Sequence, residues 1–432
     1  MLENTSSHIM KVLLIGSGGR EHAFAWKISQ SPLLTKLYIL PGNPGTSELG
    51  ENISINSDDH NGIVDVIKDK KIDLVVCGPE VPLADGLMDL IEQAELPKRP
   101  ILIGPGSSGA RLESSKQFAK EFMMRHHIPT AGYRAFDQYE EELALNYIQT
   151  MQTPIVIKAD GLAAGKGVVI AETKEQASEE IKEMLGGKFG NASSHLVIEE
   201  FLTGIEFSVF VLTNGTQYIL LPEAKDYKRI GEGDTGLNTG GMGAISPVSF
   251  ANDELMKKVI DKIILPTLSG LQNENIPYQG FIFFGLIVVK GEPYVIEYNC
   301  RMGDPETEAV MLRLNNDLLE LFLLCDQNKL DEVKMKISDK FASTICLVSG
   351  GYPGPFDKNK PITLPETTEM DSIIFYSGVT KVNDQLVTSG GRVFAISSLG
   401  NSKSEALRLA SKLAEEISFE GKYYRKDIGF DL

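Results

Sequence analysis

The sequence predicts an α/β protein whose first part is a parallel, doubly wound sheet, and three observations carry that prediction. Short apolar runs alternate with helical stretches between residues 10 and 105. Each run stops at glycine or proline: Lys11–Ile15 at Gly16, Leu37–Leu40 at Pro41-Gly42, Ile72–Cys77 at Gly78-Pro79, and Ile101–Ile103 at Gly104-Pro105. Runs that are apolar at consecutive positions suit strands buried on both faces. In such sheets ligands collect at the carboxyl ends of the strands, where these glycines and prolines lie. At 432 residues the chain is too long for one hydrophobic core, so further domains are expected.

The elements then follow in order. Residues 1–9 (MLENTSSHI) are polar, lack a hydrophobic signal core and precede a second methionine, Met10, so they read as an artificial leader. Residues 20–30 form the first helix. From Pro154 the pattern changes: Pro154–Lys158 and Val168–Ala171 are strands joined by the glycine-rich ADGLAAGKG. A helix over 174–185 and strands over Leu196–Phe201 and Phe207–Leu212 come next. Residues 228–247, with six glycines, read as a long loop. A helix near 252–271, strands over 281–289 and 293–298, and one helix over about 306–324 close this region. Beyond it lie strands near 343–349, 373–377 and 392–397 and a helix over 402–417.

Composition excludes several classes. Lys plus Arg number 42 and Asp plus Glu 59, a net charge of −17 that repels nucleic acid and anionic bilayers at long range. The four cysteines, Cys77, Cys300, Cys325 and Cys346, form no C-x-x-C pair, as expected of free thiols in a reducing cytosol. The longest apolar stretch, Phe281–Val289, is far too short to span a bilayer. His22, His126, His127 and His195 show no metal-ligand spacing.

Four segments carry candidate chemistry. Gly16-Ser17-Gly18-Gly19-Arg20-Glu21-His22 opens the first helix, where small residues let backbone N–H groups approach a phosphate. A nicotinamide dinucleotide site is argued against, because Glu21 replaces the third glycine of G-x-G-x-x-G and Pro41-Gly42-Asn43 offers no ribose carboxylate. A plain strand-to-helix turn accounts for the glycines alone. With Asn43 and Gly78-Pro79-Glu80 on neighbouring strand ends, a phosphosugar pocket is the stronger reading. Gly161–Gly167 superficially resembles a P-loop, yet Asp160 and Gly167 break the pattern and strands flank it on both sides. It reads as a β-hairpin flap able to close over polyphosphate, with Lys158 supplying charge; a solvent hairpin is the plainer alternative. Glu199, Glu200 and Glu206 end or follow an apolar strand, and one of them could hold a ribose. In Tyr294–Thr307 (YVIEYNCRMGDPET), period-two alternation puts Glu297, Asn299 and Arg301 on one face. A carboxylate and an amide oxygen two residues apart suit Mg²⁺, which takes few protein ligands beside substrate phosphates, and Arg301 can hold a transferring phosphoryl group.

Together these segments resemble the ATP-grasp carboxylate–amine ligases. More narrowly, GSGGREHA, PGNPG, GPEVPLADG, KADGLAAGKGV, NTGGMGA and EYNCRMGDPET resemble the phosphoribosylamine–glycine ligase family, and the likeness runs from Met10 to Gly429. The resemblance implies an N-terminal Rossmann-like parallel-sheet domain (10–112), a central ATP-grasp fold (113–326) whose β flap covers about 134–202, and a C-terminal α+β domain (327–432). It implies ATP as co-substrate, a magnesium cofactor that manganese could replace, and ligation of glycine to 5-phosphoribosylamine through glycyl phosphate. ATP would be held by Lys116, Lys158, Gly161, Gly165, Lys166, Gly167, Glu199, Glu200, Phe201, Leu202 and Glu206. The aminosugar would sit at Gly18, Gly19, Arg20, Glu21, Asn43, Gly78, Pro79 and Glu80. Asp226, Lys228, Asp234, Thr239, Gly240, Gly241 and Met242 would gather glycine and the phosphoryl group, with Arg301 and Lys158 catalytic and Glu297 and Asn299 holding metal. The implied protein is a cytoplasmic enzyme of de novo purine biosynthesis, with small-molecule partners only, no nucleic acid or membrane, and monomer as the favoured state.

The chemistry agrees with the residues. A carboxylate is a poor electrophile, so ATP must first activate it, and the substrate itself supplies the attacking oxygen. Charge neutralisation and alignment are needed rather than a nucleophilic side chain, which accounts for the lack of a Ser-His-Asp or Cys-His set. Another ATP-grasp ligase, a non-catalytic nucleotide sensor and an NAD-dependent oxidoreductase are the rival expectations.

Overall fold

The computed structural model describes residues 9–162, 167–190, 194–366 and 371–432. The chain opens with β1 (Met10–Gly16), α1 (Gly19–Ile28), β2 (Leu34–Pro41), β3 (Glu51–Asn52), α2 (His60–Lys70), β4 (Leu74–Cys77), α3 (Glu80–Ala84), α4 (Leu87–Gln93) and β5 (Ile101–Ile103). The strands form one parallel sheet in the order β3-β2-β1-β4-β5. All four expected strands are present; β3, with only two residues, is too short to leave an apolar run. Gly16 turns the chain from β1 towards α1 at φ +126, a conformation open to glycine, and the Glu21 side chain fills the space a Cβ would need.

Helices α5 (Ser107–Ser114) and α6 (Lys116–Arg125) lead into β6 (Tyr133–Asp137), α7 (Glu141–Thr150), β7 (Ile155–Ala159), β8 (Val168–Ala171), α8 (Lys174–Leu185) and β9 (His195–Glu200). These strands make an antiparallel sheet, β6-β9-β7-β8, backed by α7 and α8. Next come β10 (Ile205–Thr213), β11 (Tyr218–Leu220), β12 (Lys225–Asp226), β13 (Arg229–Gly231), β14 (Thr235–Asn238) and β15 (Gly243–Ser246). After α9 (Asp253–Val259), a π-helical turn (Ile260–Ile264) and α10 (Leu265–Asn273), β16 (Gly280–Val289) and β17 (Glu292–Asn299) complete a second antiparallel sheet, β11-β10-β16-β17. The chain ends through α11 (Glu306–Arg313), α12 (Leu318–Asp326), β18 (Phe341–Val348), β19 (Ser372–Tyr376), β20 (Val379–Val382), β21 (Gln385–Thr388), β22 (Arg392–Gly400) and α13 (Lys403–Glu416).

Two expectations are corrected. Residues 228–247 are not one long loop: they contain the β13–β14 ribbon and β15, which pairs with β18 and joins the sheet β12-β15-β18-β22-β19. That sheet therefore draws on chain from both sides of the expected division at 326/327. The helix expected over 306–324 is two helices, because Asp317 caps a new start by accepting from the amides of Leu319 and Glu320. Alternate residues of β1 feed two cores, Val12 and Leu14 on one face and Leu13 and Ile15 on the other, while the β6–β9 sheet keeps its own.

Candidate active site

The side of the site expected to take the nucleotide is built where α6, β7 and β9 meet. Lys158, buried at the end of β7, places Nζ 2.9 Å from Glu199 Oε1 and donates to the Ile296 carbonyl at 3.2 Å. Glu199 is itself buried, and its other oxygen lies 3.1 Å from Lys120 Nζ. Glu200 points the other way on β9, as strand alternation requires, and accepts from the Gly132 amide at 2.8 Å. Lys116 opens α6 and donates to the Gly161 carbonyl at 3.2 Å, while Asp160 accepts from the Gln117 amide at 2.6 Å. The flap root is thereby fastened to the start of α6. The Gly167 carbonyl accepts from the Ala159 amide. Phe201 is exposed and Leu202 half-buried on the segment joining β9 to β10, and Glu206 is exposed near the start of β10. Gly165 and Lys166 lie outside the described residues.

Strand β17 has a feature that alternation alone would not supply. Opposite β16, Gly285 pairs with Glu297 and Leu286 with Val295, so Ile296 is an extra residue, a β-bulge. Burial changes phase there: Pro293 and Val295 are buried before it, Tyr298 and Cys300 after it. Glu297, Asn299 and Arg301 therefore share the open side, as expected. Lys228 Nζ stands 3.8 Å from Glu297, 3.6 Å from Glu206 and 4.0 Å from Asp226, bringing the three carboxylates around one ammonium. Burial raises the Glu297 pKa, but the cations Lys228, Lys158, Lys116 and Arg301 outweigh it and the net shift is downward. A carboxylate kept ionised beside an amide oxygen is a fitting pair for a hard divalent cation that takes its remaining ligands from phosphate and water. Among the described residues no set of three His, Cys, Asp or Glu side chains has metal-binding geometry.

The third wall is the junction of the first sheet with the C-terminal one. Arg301 donates to Glu113 at 2.7 Å and lies 3.3 Å from Glu80, whose pKa falls to about 2 because Arg301 and Arg20 outweigh its burial. Glu21 accepts from the Gly18 amide at 2.7 Å and from Arg20 at 2.6 Å, so a carboxylate already caps α1. Gly19 is buried beside it, and Gly78 passes so close to Glu21 that a Cβ would overlap it. The Asn43 amide is fully engaged, donating to Ser17 and Tyr376 and accepting from Gly45 and Thr46. Gly240 receives Tyr352 and Arg392: its amide donates to the phenol, and its carbonyl accepts from the guanidinium. Thr239 bonds the Lys228 carbonyl and the Gly241 amide, which fixes the turn. The Met242 side chain is fully buried in the core, so only its backbone is available to a ligand. Asp234 lies at the ribbon turn, paired with Arg425 at 2.6 Å.

Sequence reasoning missed Lys120, Glu113, Asp304, Glu306, Glu308 and Arg392. Arg392 reaches Asp304 at 3.1 Å from the far end of the chain. The buried Glu306 accepts from Ser208, and its pKa rises to about 8 through burial and the neighbouring Asp226 charge. Glu306 at least stood inside the motif YVIEYNCRMGDPET; Arg392 carried no local signal.

A small antiparallel sheet unit facing the bulged strand β17, with lysines between them, is the arrangement of an ATP-grasp ligase, and the comparisons agree. Biotin carboxylase from Hydrogenobacter thermophilus 2-oxoglutarate carboxylase, in complex with MgADP, shares the fold at TM-score 0.73 and 15% identity, covering 97% of this chain and 92% of that one. Sequence profiles for phosphoribosylglycinamide synthetase match throughout: the N domain at residues 10–113, the ATP-grasp (A) domain at 114–307 and the C domain at 342–431. The chain belongs to the phosphoribosylglycinamide synthetase family. It is 45% identical over 426 residues to phosphoribosylamine–glycine ligase of Vibrio parahaemolyticus, covering 98% of both chains. The Haemophilus influenzae enzyme of that name is likewise 45% identical, with the same coverage. A crystal structure of phosphoribosylamine–glycine ligase from Thermotoga maritima superposes at TM-score 0.82 with 36% identity, covering 96% of this chain and 99% of that one.

Proposed function

We infer that this chain joins glycine to 5-phosphoribosylamine, forming glycinamide ribonucleotide, ADP and phosphate in purine biosynthesis. The carrying observation is the half-exposed Glu297 carboxylate set amid Lys116, Lys158, Lys228 and Arg301, on the one strand edge that also presents Asn299. Four cations around one carboxylate and its neighbouring amide make a place for a triphosphate, not for a bare carboxylic acid.

In this reading Lys158 and Lys116 receive the nucleotide phosphates, and the Glu199–Leu202 segment holds the base. Glu297 and Asn299 would hold a divalent cation, magnesium with manganese as a substitute, which when bound supplies positive charge to the phosphates. A glycine carboxylate oxygen attacks the terminal phosphorus, the bond to the ADP oxygen breaks, and glycyl phosphate forms. Lys228 and Arg301 orient the transferring group. The aminosugar, lying against Gly18–Glu21 and Glu80, then attacks the acyl carbon with its amine; the carbon–oxygen bond to phosphate breaks and the amine loses a proton. Acyl phosphates hydrolyse, so closure of the flap unit keeps water out. No helix among the described residues is long and apolar enough to cross a membrane. In this reading the enzyme works as a monomer in the cytoplasm, and its four buried free thiols suit a reducing compartment.

The test is ADP release with phosphoribosylamine generated in situ. Release is expected only when glycine and the aminosugar are both present; release without the aminosugar at the full rate overturns the reading. Glu297→Gln combined with Asn299→Ala is expected to abolish turnover at limiting magnesium while the circular dichroism spectrum stays unchanged. Near-normal turnover there removes these residues from the metal site.

A further inference from the structure

Beside the nucleotide site, two buried lysines share one carboxylate. Glu199 lies between Lys120 at 3.1 Å and Lys158 at 2.9 Å, and all three side chains are at most 6% exposed. The trio carries a net charge of +1 in a place that water hardly reaches, and an uncompensated buried charge is costly. Lys120 also donates to the Thr130 hydroxyl at 2.7 Å and the Ala131 carbonyl at 3.3 Å, so it is fixed from the body of the protein. Among the described residues Lys158 pairs with Glu199 and donates to one carbonyl, and it stands one residue before the end of β7, the strand that leads into the flap.

We propose that Lys120 is a positioning residue for ATP: by claiming half of Glu199, it leaves Lys158 undercompensated and available to the nucleotide phosphates. This rests on the nucleotide site proposed above and adds a residue that acts through Glu199. With Lys120 charged, Glu199 is shared between two ammonium groups, and an arriving polyphosphate supplies the negative charge that the trio lacks. With Lys120 neutral, Glu199 and Lys158 become a self-contained pair and the pull on phosphate weakens.

The surroundings supply a handle. Burial lowers the Lys120 pKa to about 8; Glu199 and, further off, Glu200 act against that shift, and Lys158 acts with it. The Tyr133 ring, 5.6 Å away on β6, is the other titratable group facing it. Lys120 therefore loses its charge within a measurable pH range in the empty protein, and a bound polyphosphate favours its return.

The experiment is calorimetric binding of a non-hydrolysable ATP analogue with magnesium to the whole protein between pH 7 and 9.5. The dissociation constant of the unaltered chain is expected to rise on the order of tenfold over that range, the effect of one nearby charge at intermediate dielectric. Lys120→Met is expected to bind as weakly at pH 7 as the unaltered chain does at 9.5, with a flat profile. Lys120→Arg, which stays charged throughout, is expected to bind more tightly than Lys120→Met at pH 9.5 and to show a flat profile too. A flat profile for the unaltered chain, or a Lys120→Met profile that falls in parallel with it, overturns the proposal. If Lys120→Met does not fold, the arginine variant decides: a profile that falls with the unaltered chain is equally fatal. No nucleotide binding at any pH would instead bring down the ligase reading itself.

Discussion

Glu308 is fully buried, and among the described residues neither of its carboxylate oxygens has a hydrogen-bond partner. Its neighbours are Gly19, whose flank Oε1 occupies, and the charges of Asp304, Arg392 and Arg20. Burial and Asp304 push its pKa well up, and Arg392 only partly offsets them. The folded protein thus holds a proton there that the unfolded chain releases above the ordinary glutamate range near pH 4.5. Stability contributed in that way is present in acid and is lost as pH rises from the unfolded pKa towards the folded one. Glu308→Gln removes the titration while keeping the shape. It is expected to be more stable than the parent at pH 8 by about 1–3 kcal/mol, with the difference shrinking by pH 5. Urea unfolding at both values checks this, and a variant weaker at pH 8 than the parent would show that Glu308 works as a paired anion.

At the level of elements, what was legible depended on whether the signal was local. The strands of the first sheet stood out because each is an apolar run closed by glycine or proline, and Glu297, Asn299 and Arg301 were found together by alternation. That last success owes something to the bulge at Ile296, which shifts the burial phase just before Glu297. Strand β15 was hidden, since Gly243–Ser246 is four residues long and its partner β18 lies about a hundred residues onward. Arg392 stayed hidden for the same reason, its contact with the Asp304 carbonyl spanning 88 positions. The break between α11 and α12 could have been read from Asp317, a good cap residue, yet the apolar stretch around it suggested continuity. Because Asp317 bonds two amides of α12 and also accepts from Ser31 at 2.7 Å, Asp317→Ala is expected to cost about 1–2 kcal/mol. An unchanged denaturation midpoint would mean that the helix start is held by packing alone.

Across the whole molecule the distribution of cores sets how the parts move. One core runs from β1 and α1 to the C-terminal sheet, with Phe24 stacked on Phe281 and His22 edge-on to Phe375. The other lies on the opposite face of the same strands, so Leu13 and Val12, or Val209 and Phe210, cannot be loosened separately. The β6–β9 sheet differs: Phe136, Ile148, Ile157, Ile181 and Ile198 pack among themselves with α7 and α8. Its ties to the rest are largely polar, through Lys120–Glu199, Lys158–Ile296, Asp160–Gln117 and Gly132–Glu200. A unit with its own small core and a polar seam opens more readily than a sheet buried on both faces. Native-state hydrogen exchange is therefore expected to show the amides of Ile155–Ala159 and His195–Glu200 opening at lower free energy than those of Val12–Ile15 and Val209–Leu212. In the proposed reading Lys158 on the small unit and Lys228 on the large one both meet the nucleotide, so an ATP analogue is expected to raise the protection of the small sheet by more than tenfold, since it adds RT ln(1 + [L]/Kd) to any opening that breaks the site. Equal opening energies in both sheets without nucleotide, or protection that ignores it, would mean that the two units form one rigid block and that closure over the phosphates has some other origin.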